Sequence, residues 1–249
     1  MATPRRKTTA AAFIAAPILF VIAVGVAGLS ARALALSAAN ADLLDLAASI
    51  EKQAQPDADY LARFIASKGL DRASVDCGDS FTRASLTVNL AVLDAATKTL
   101  DAPLVDAAEK SAIRAAAHRL ACNPLDGNAW LRYAEVENKS AGRAETVTDA
   151  LRASYWTAPS EGWIIESRLP FATDLVLTGA SGFETEYIDD LRRFASFESS
   201  GRVAAAYVAL SPPVRHRLRP LIDGEPETQK KAILAAIDRL GVDYQRDAP

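Results

Sequence analysis

The sequence predicts an all-α protein built on one apolar N-terminal helix, and three observations lead there. Half of the 249 residues are apolar, with alanine prominent among them, while aromatics make up only 7%. Alanine-rich sequence with apolar residues at helical intervals favours helix over strand. The chain also opens on a stretch without charge that is long enough to cross a membrane. A net charge of −3 lacks the basic footprint of a nucleic-acid binder, so nucleic acid is excluded as an expected partner.

Arg5, Arg6 and Lys7 form a basic tail over residues 1–7, and Thr8 to Leu29 then runs without a charge. At ~1.5 Å per residue that run spans a ~30 Å hydrocarbon core, which makes residues 8–31 a transmembrane anchor. Only Arg32 follows closely, with Asp42 and Asp45 beyond it. The positive-inside rule therefore expects a single pass with the N-terminus in the cytoplasm and the rest of the chain outside the inner membrane. Ala31-Arg32-Ala33 and Ala33-Leu34-Ala35 have the small residues a signal peptidase reads, so secretion to the periplasm after cleavage is the alternative.

Residues 32–80 read as membrane-proximal helices and loop. Leu36 to Gln53 keeps Leu43, Leu46 and Ile50 at helical spacing and continues the membrane helix outward, until Gln55-Pro56-Asp57 breaks it. Tyr60 to Ala66 is a short helix, and Gly69 to Asp79 reads as loop. Residues 81–177 read as helical hairpins. Thr82 to Leu100 and Leu104 to Ala121 are joined by Asp101-Ala102-Pro103, a turn short enough to force antiparallel packing. The next hairpin pairs a helix carrying Trp130, Tyr133, Ala134 and Val136 with one carrying Val147, Ala150, Leu151, Ser154 and Tyr155, with Ser140-Ala141-Gly142 between them. Ser160 and Glu161 offer caps for a further helix that Pro170 should end or kink. Residues 178–249 form a C-terminal helical segment: Glu184 to Phe197, Val203 to Leu210, Pro212 to Ile222, and Pro226 to Leu240 closed by Gly241.

Trp130-x2-Tyr133-Ala134, then Val147-x3-Leu151 and Pro159, resembles the tetratricopeptide repeat. That pattern sets a Trp and a large-small pair on the first helix, a small residue with an aromatic four later on the second, and a closing Pro. Trp130 to Trp163 is 33 residues and Pro124 to Pro159 is 35, either side of the family's ~34-residue period. Tyr133, Ala134, Glu137 and Val147 depart from the usual residues at their positions, and the match covers about residues 104–177. The resemblance implies a tetratricopeptide-like helical-hairpin array, a fold that binds other proteins in its groove. The phrases Asn123-Pro124-Leu125-Asp126-Gly127-Asn128-Ala129-Trp130 and Ala158-Pro159-Ser160-Glu161-Gly162-Trp163 are also similar to small bacterial envelope proteins, some associated with surface-polysaccharide production.

No catalytic chemistry is legible. The sequence has no GxSxG, HExxH, P-loop or GxGxxG pattern, and neither His118 nor His216 has a second His or a Cys at ligand spacing. Catalytic, metal and cofactor residues are accordingly assigned as none. The pairs Glu184/Glu186 and Asp189/Asp190 read as solvated helix faces. Two features stand out as partner contacts. One is Tyr155, Trp156 and Trp163 around Pro159, of which Trp156 fits an exposed role and the other two the core stripe; Arg168 is grouped with Trp156 as a candidate contact. The other is a basic face of Arg192 and Arg193 with Arg215, Arg217 and Arg219, suited to anionic polysaccharide. The expected function is thus a membrane-anchored, non-enzymatic scaffold for protein partners in the envelope. The alternative is an accessory to surface polysaccharide production or export that contacts anionic glycan directly.

Cys77 and Cys122 are expected to form a disulfide. Cys77 precedes one helix of the first hairpin and Cys122 ends the other, and the two helices, of about nineteen and eighteen residues, differ in length by only a few ångströms. An even cysteine count on the outside of a membrane fits an oxidising compartment.

Overall fold

The structure is a computed structural model and describes residues 11–52, 60, 61, 64, 77–99, 101–140, 142–210 and 212–244. It is all-helical, with no strand among the described residues.

Helix α1, Ala11–Ala39, contains a stretch, Pro17–Ala35, that is long and apolar enough to cross a membrane and has none of its residues buried against the rest of the chain. Its side chains, such as Leu19, Phe20 and Leu29, face outward. Pro17 lies inside the helix without ending it. The expected continuous extension past Leu36 is interrupted: Asn40 leaves helical geometry at φ −113°, and its carbonyl accepts from Leu43 and Leu44 to start α2, Ala41–Glu51. The interruption lets α2 turn Leu43, Leu46 and Ala47 into the first core. Tyr60, Leu61 and Phe64 are helical, as expected; the remainder of Tyr60 to Ala66 and most of the Gly69 to Asp79 loop lie outside the described residues.

The first hairpin pairs α3, Asp79–Thr99, with α4, Ala102–Cys122. Its turn is tighter than expected because Ala102 and Pro103 already belong to α4. Asp101 is the N-cap and accepts from the Leu104 N–H at 3.3 Å, while Pro103 sits in the first turn, where a missing N–H costs nothing. Val88, Val92 and Leu93 of α3 pack on Ala108 and Ala112 of α4, whose small side chains let the backbones approach. Cys77 and Cys122 are disulfide-bonded with a Cα–Cα distance of 5.1 Å, so the expected pairing and the antiparallel register hold together. In the chain-entropy picture, closing a 45-residue separation contributes on the order of 4 kcal/mol.

The second hairpin, α5 (Gly127–Lys139) and α6 (Ala144–Thr157), is joined by a turn at the expected place. Asp126 caps α5 by accepting from Ala129 N at 2.9 Å. Gly127 is required here, since a Cβ would come within 2.3 Å of the Ala158 Cβ; the Ser154 hydroxyl closes the same contact by donating to the Gly127 carbonyl at 2.8 Å.

Helix α7, Gly162–Leu177, continues through Pro170 and does not end there. Pro170 is exposed, while Leu169, Ala172, Thr173 and Leu175 are buried and hold the helix by packing. The expected caps of α7 also differ, because Glu161 occupies the N-cap without making a side-chain hydrogen bond.

The remaining helices are α8 (Glu184–Phe197), α9 (Ser200–Ala209), α10 (Pro212–Asp223) and α11 (Glu227–Arg239). Helix α8 packs on α7 and α10, and α9 packs on α11. Gly241, at φ +78°, takes the left-handed conformation that ends α11. A single buried cluster runs from Leu131 and Val147 through Ile164, Tyr187 and Phe194 to Tyr207, Ile222, Ile237 and Tyr244. The C-terminal helices therefore share one core with the second hairpin.

Candidate functional site

A groove of about 1110 Å³ lies between the helices of the two hairpins. One wall is a stripe of α3 in which Arg83, Thr87, Leu90, Asp94 and Lys98 recur every three or four residues. The other is α5, through Asn128, Arg132 and Glu135 at the same spacing, and Trp163 extends it from the first turn of α7. Ile50 and Glu51 of α2 close one side. The groove thus lies along helices α3, α5 and α7, while α4 contributes Arg119 at its floor.

Charge in the groove is balanced pair by pair. Arg83 meets Glu51 at 3.0 Å, Lys98 meets Asp94 at 2.7 Å, and Arg132 meets Glu135 at 2.8 Å. Such partly or wholly exposed pairs are worth at most about 1 kcal/mol, so their members can exchange partners with a ligand at little cost. Arg119 differs. Its side chain is 6% exposed, and it binds Asp126 at 2.7 Å, the Asp79 carboxylate at 2.6 Å, the Asp79 carbonyl at 2.9 Å and Thr82 Oγ1 at 2.7 Å. Burial works against its charge, but the Asp126 and Asp79 bonds outweigh it and hold its pKa above the ordinary value. Arg119 therefore joins the ends of α3, α4 and α5 beside the disulfide. Asn128 lines the groove with its Oδ1 buried and without a hydrogen-bond partner among the described residues.

Arg168, expected to contact a partner, is instead completely buried. Its Nε and Nη2 donate to the two Asp190 oxygens at 2.7 and 2.9 Å, Nη1 donates to the Ser154 carbonyl at 2.9 Å, and Nη2 to the Ala158 carbonyl at 3.3 Å. Its guanidinium carbon lies 4.1 Å from the Tyr155 ring centroid. One side chain thus satisfies the carbonyl end of α6 and ties it to α7 and α8. Asp190, expected on a solvated face, is its buried counter-ion. Burial leaves the Asp190 carboxyl above the ordinary range even though Arg168 pulls the other way.

Of the expected aromatics, Trp156 is 71% exposed and Tyr155 is buried, but Trp163 is 54% exposed. Ile164, Ile165 and Leu169 fill the inner face of α7, which turns Trp163 to the groove. The basic residues do separate jobs. Arg192 is exposed and pairs with Asp189 at 2.6 Å, and Arg193 donates to the Pro159 carbonyl. Arg215 donates to the Val208 and Leu210 carbonyls at 2.7 and 2.9 Å, and Arg219 donates to the Tyr244 carbonyl at 3.0 Å while lying 4.5 Å over its ring. Arg217 is exposed on α10 and, after the local backbone donors, helps hold Glu184 below the usual carboxylate range. Arg215 and Arg219 therefore serve α9, α10 and the C-terminal turn before they serve any ligand.

Sequence reasoning missed Arg119, Asn128 and Arg132. Their legible signal was Asp126 as an N-cap at the start of α5, which places Asn128 and Arg132 on the first turns of a helix whose outer stripe faces α3. No protein-family model, curated protein or solved structure matches the chain.

Proposed function

We propose that this protein is a non-enzymatic helical scaffold, anchored in the membrane by α1 with its N-terminus in the cytoplasm, which binds envelope proteins in the groove between α3, α5 and α7. The observation that carries the reading is the groove's construction. Successive first helices of adjoining hairpins line it at helical spacing, as a tetratricopeptide-like stack arranges its inner surface. Its volume of about 1110 Å³ exceeds what a small cofactor fills, and its mixed apolar and paired polar lining suits a polypeptide. The unburied Pro17–Ala35 stretch and the disulfide support a membrane-bound domain in an oxidising compartment.

Photo-crosslinking in intact cells tests this. A crosslinking residue at Thr87 or Ala91, both half-buried in the groove, should capture a defined partner. The same residue at Lys110, exposed outside the groove, should not. Thr87→Arg with Ala91→Arg should abolish capture while circular dichroism stays unchanged. Equal yields from Thr87 and Lys110 would overturn the proposal.

A further inference from the structure

The Cys77–Cys122 disulfide is unequal at its two ends. Cys77 is exposed and lies two residues before α3 begins, while Cys122 is half-buried and ends α4. His118 stands one turn earlier on α4, and its Nε2 lies 3.7 Å from Cys122 Sγ. An imidazole nitrogen is thus set against one sulfur, and the more accessible residue carries the other.

That asymmetry bears on thiol–disulfide exchange, in which a thiolate attacks one sulfur and the other leaves as a thiolate, faster when the leaving thiolate is stabilised. Exposure favours attack at Cys77 and makes Cys122 the leaving group. The carbonyl end of α4 disfavours an anion there. With the proton on Nε2, His118 donates its N–H to the departing sulfur and offsets that cost. The junction also survives the opening of the bond. The buried Arg119 side chain, at the end of α4, binds the Asp79 carboxylate at 2.6 Å and Asp126 at 2.7 Å, and so holds the start of α3 without the covalent link.

We propose that Cys77–Cys122 is a thiol–disulfide exchange site, opened by a dithiol protein that attacks Cys77 while Cys122 leaves beside His118. A thiolate of the dithiol bonds to Cys77 Sγ, the Cys77–Cys122 bond breaks, and its electron pair departs on Cys122 Sγ, which takes a proton from water. The second thiol of the dithiol loses its proton, attacks its own partner sulfur in the mixed disulfide, and releases Cys77, which is protonated in turn. Two electrons and two protons pass to this protein, and the dithiol leaves as a disulfide. The site is independent of the groove.

The test uses the full-length protein in detergent. Brief exposure to glutathione, rapid alkylation and peptide mapping by mass spectrometry should find the glutathione adduct on Cys77 and the alkyl group on Cys122. Dithiothreitol, with alkylation at timed intervals, gives the rate of reduction. His118→Leu should slow it about fivefold, the worth of one hydrogen bond to the departing sulfur, with the melting curve of the oxidised protein unchanged. His118→Gln keeps an N–H donor near the place of Nε2 and should retain most of the wild-type rate, which a packing role for the ring would not predict. Helix content by circular dichroism should persist in the reduced wild type, because the Arg119 ion pairs remain. The proposal is overturned if the adduct maps to Cys122, if His118→Leu is reduced as fast as wild type, if His118→Gln is as slow as His118→Leu, or if the bond yields only as helix content is lost.

Discussion

At the scale of single residues, the buried Arg168–Asp190 pair is the most consequential contact, because each charge is tolerated only through the other. Removing one partner strands a charge in the core, whereas replacing both removes the problem. Asp190→Ala should therefore destabilise the protein by about 3–5 kcal/mol in urea denaturation, and Arg168→Met with Asp190→Leu should recover most of that loss. If the double variant is as unstable as the single, the pair matters through its bonds to the Ser154 and Ala158 carbonyls rather than through charge. Tyrosines supply a second expectation. Burial is the main cause that raises the phenols of Tyr155, Tyr187 and Tyr244 above their ordinary value. The unfolded chain releases these protons near pH ~10 while the folded chain retains them, so stability falls as pH rises above about 10. Tyr155→Phe removes one contributor, and its urea midpoint should decline less steeply than that of wild type between about pH 9 and 11.

At the scale of elements, α7 shows packing overriding local preference. Proline inside a helix costs about 3 kcal/mol, yet the helix continues because one face is anchored in the core and the proline faces water. Pro170→Ala restores the missing N–H without touching a buried contact, so it should raise stability, by up to about 3 kcal/mol, with no change in helix content by circular dichroism. A loss of stability would show that the proline sets the direction of the chain rather than merely being endured. In the first hairpin, the disulfide ties the start of α3 to the end of α4 covalently, and the ion pairs of the buried Arg119 side chain with Asp79 and Asp126 hold the same ends and the start of α5.

For the whole molecule, the division of labour follows burial. Residues 17–35 contribute no buried side chain, whereas α2 places Leu43, Leu46 and Ala47 in the core. A chain lacking residues 1–35 should be soluble and melt at the temperature of the full-length protein in detergent. A chain lacking residues 1–52 should lose several kcal/mol, since fully burying one leucine contributes about 1.5–3 kcal/mol. Equal melting of the two truncated chains would mean that α2 merely rests on the surface of the domain.

The apolar span, the order of the helices and the Cys77–Cys122 pairing were all legible in the sequence, because each follows from local composition, periodicity and the length of adjoining segments. A run without charge, apolar residues every three or four positions and two matched helices carry their geometry with them. The fate of particular polar and aromatic residues was not legible. Arg168 looked like a surface contact, Asp190 like a solvated acid, Trp163 like a core residue and Pro170 like a helix end. Each was decided by which neighbour the fold set against it: Asp190 against Arg168, the Ile164, Ile165 and Leu169 face against the core, and solvent against Pro170. The groove is likewise a property of three helices at once. The spacing that lines it with Arg83, Thr87, Arg132 and Trp163 is written on separate segments, and only packing turns those segments toward one another.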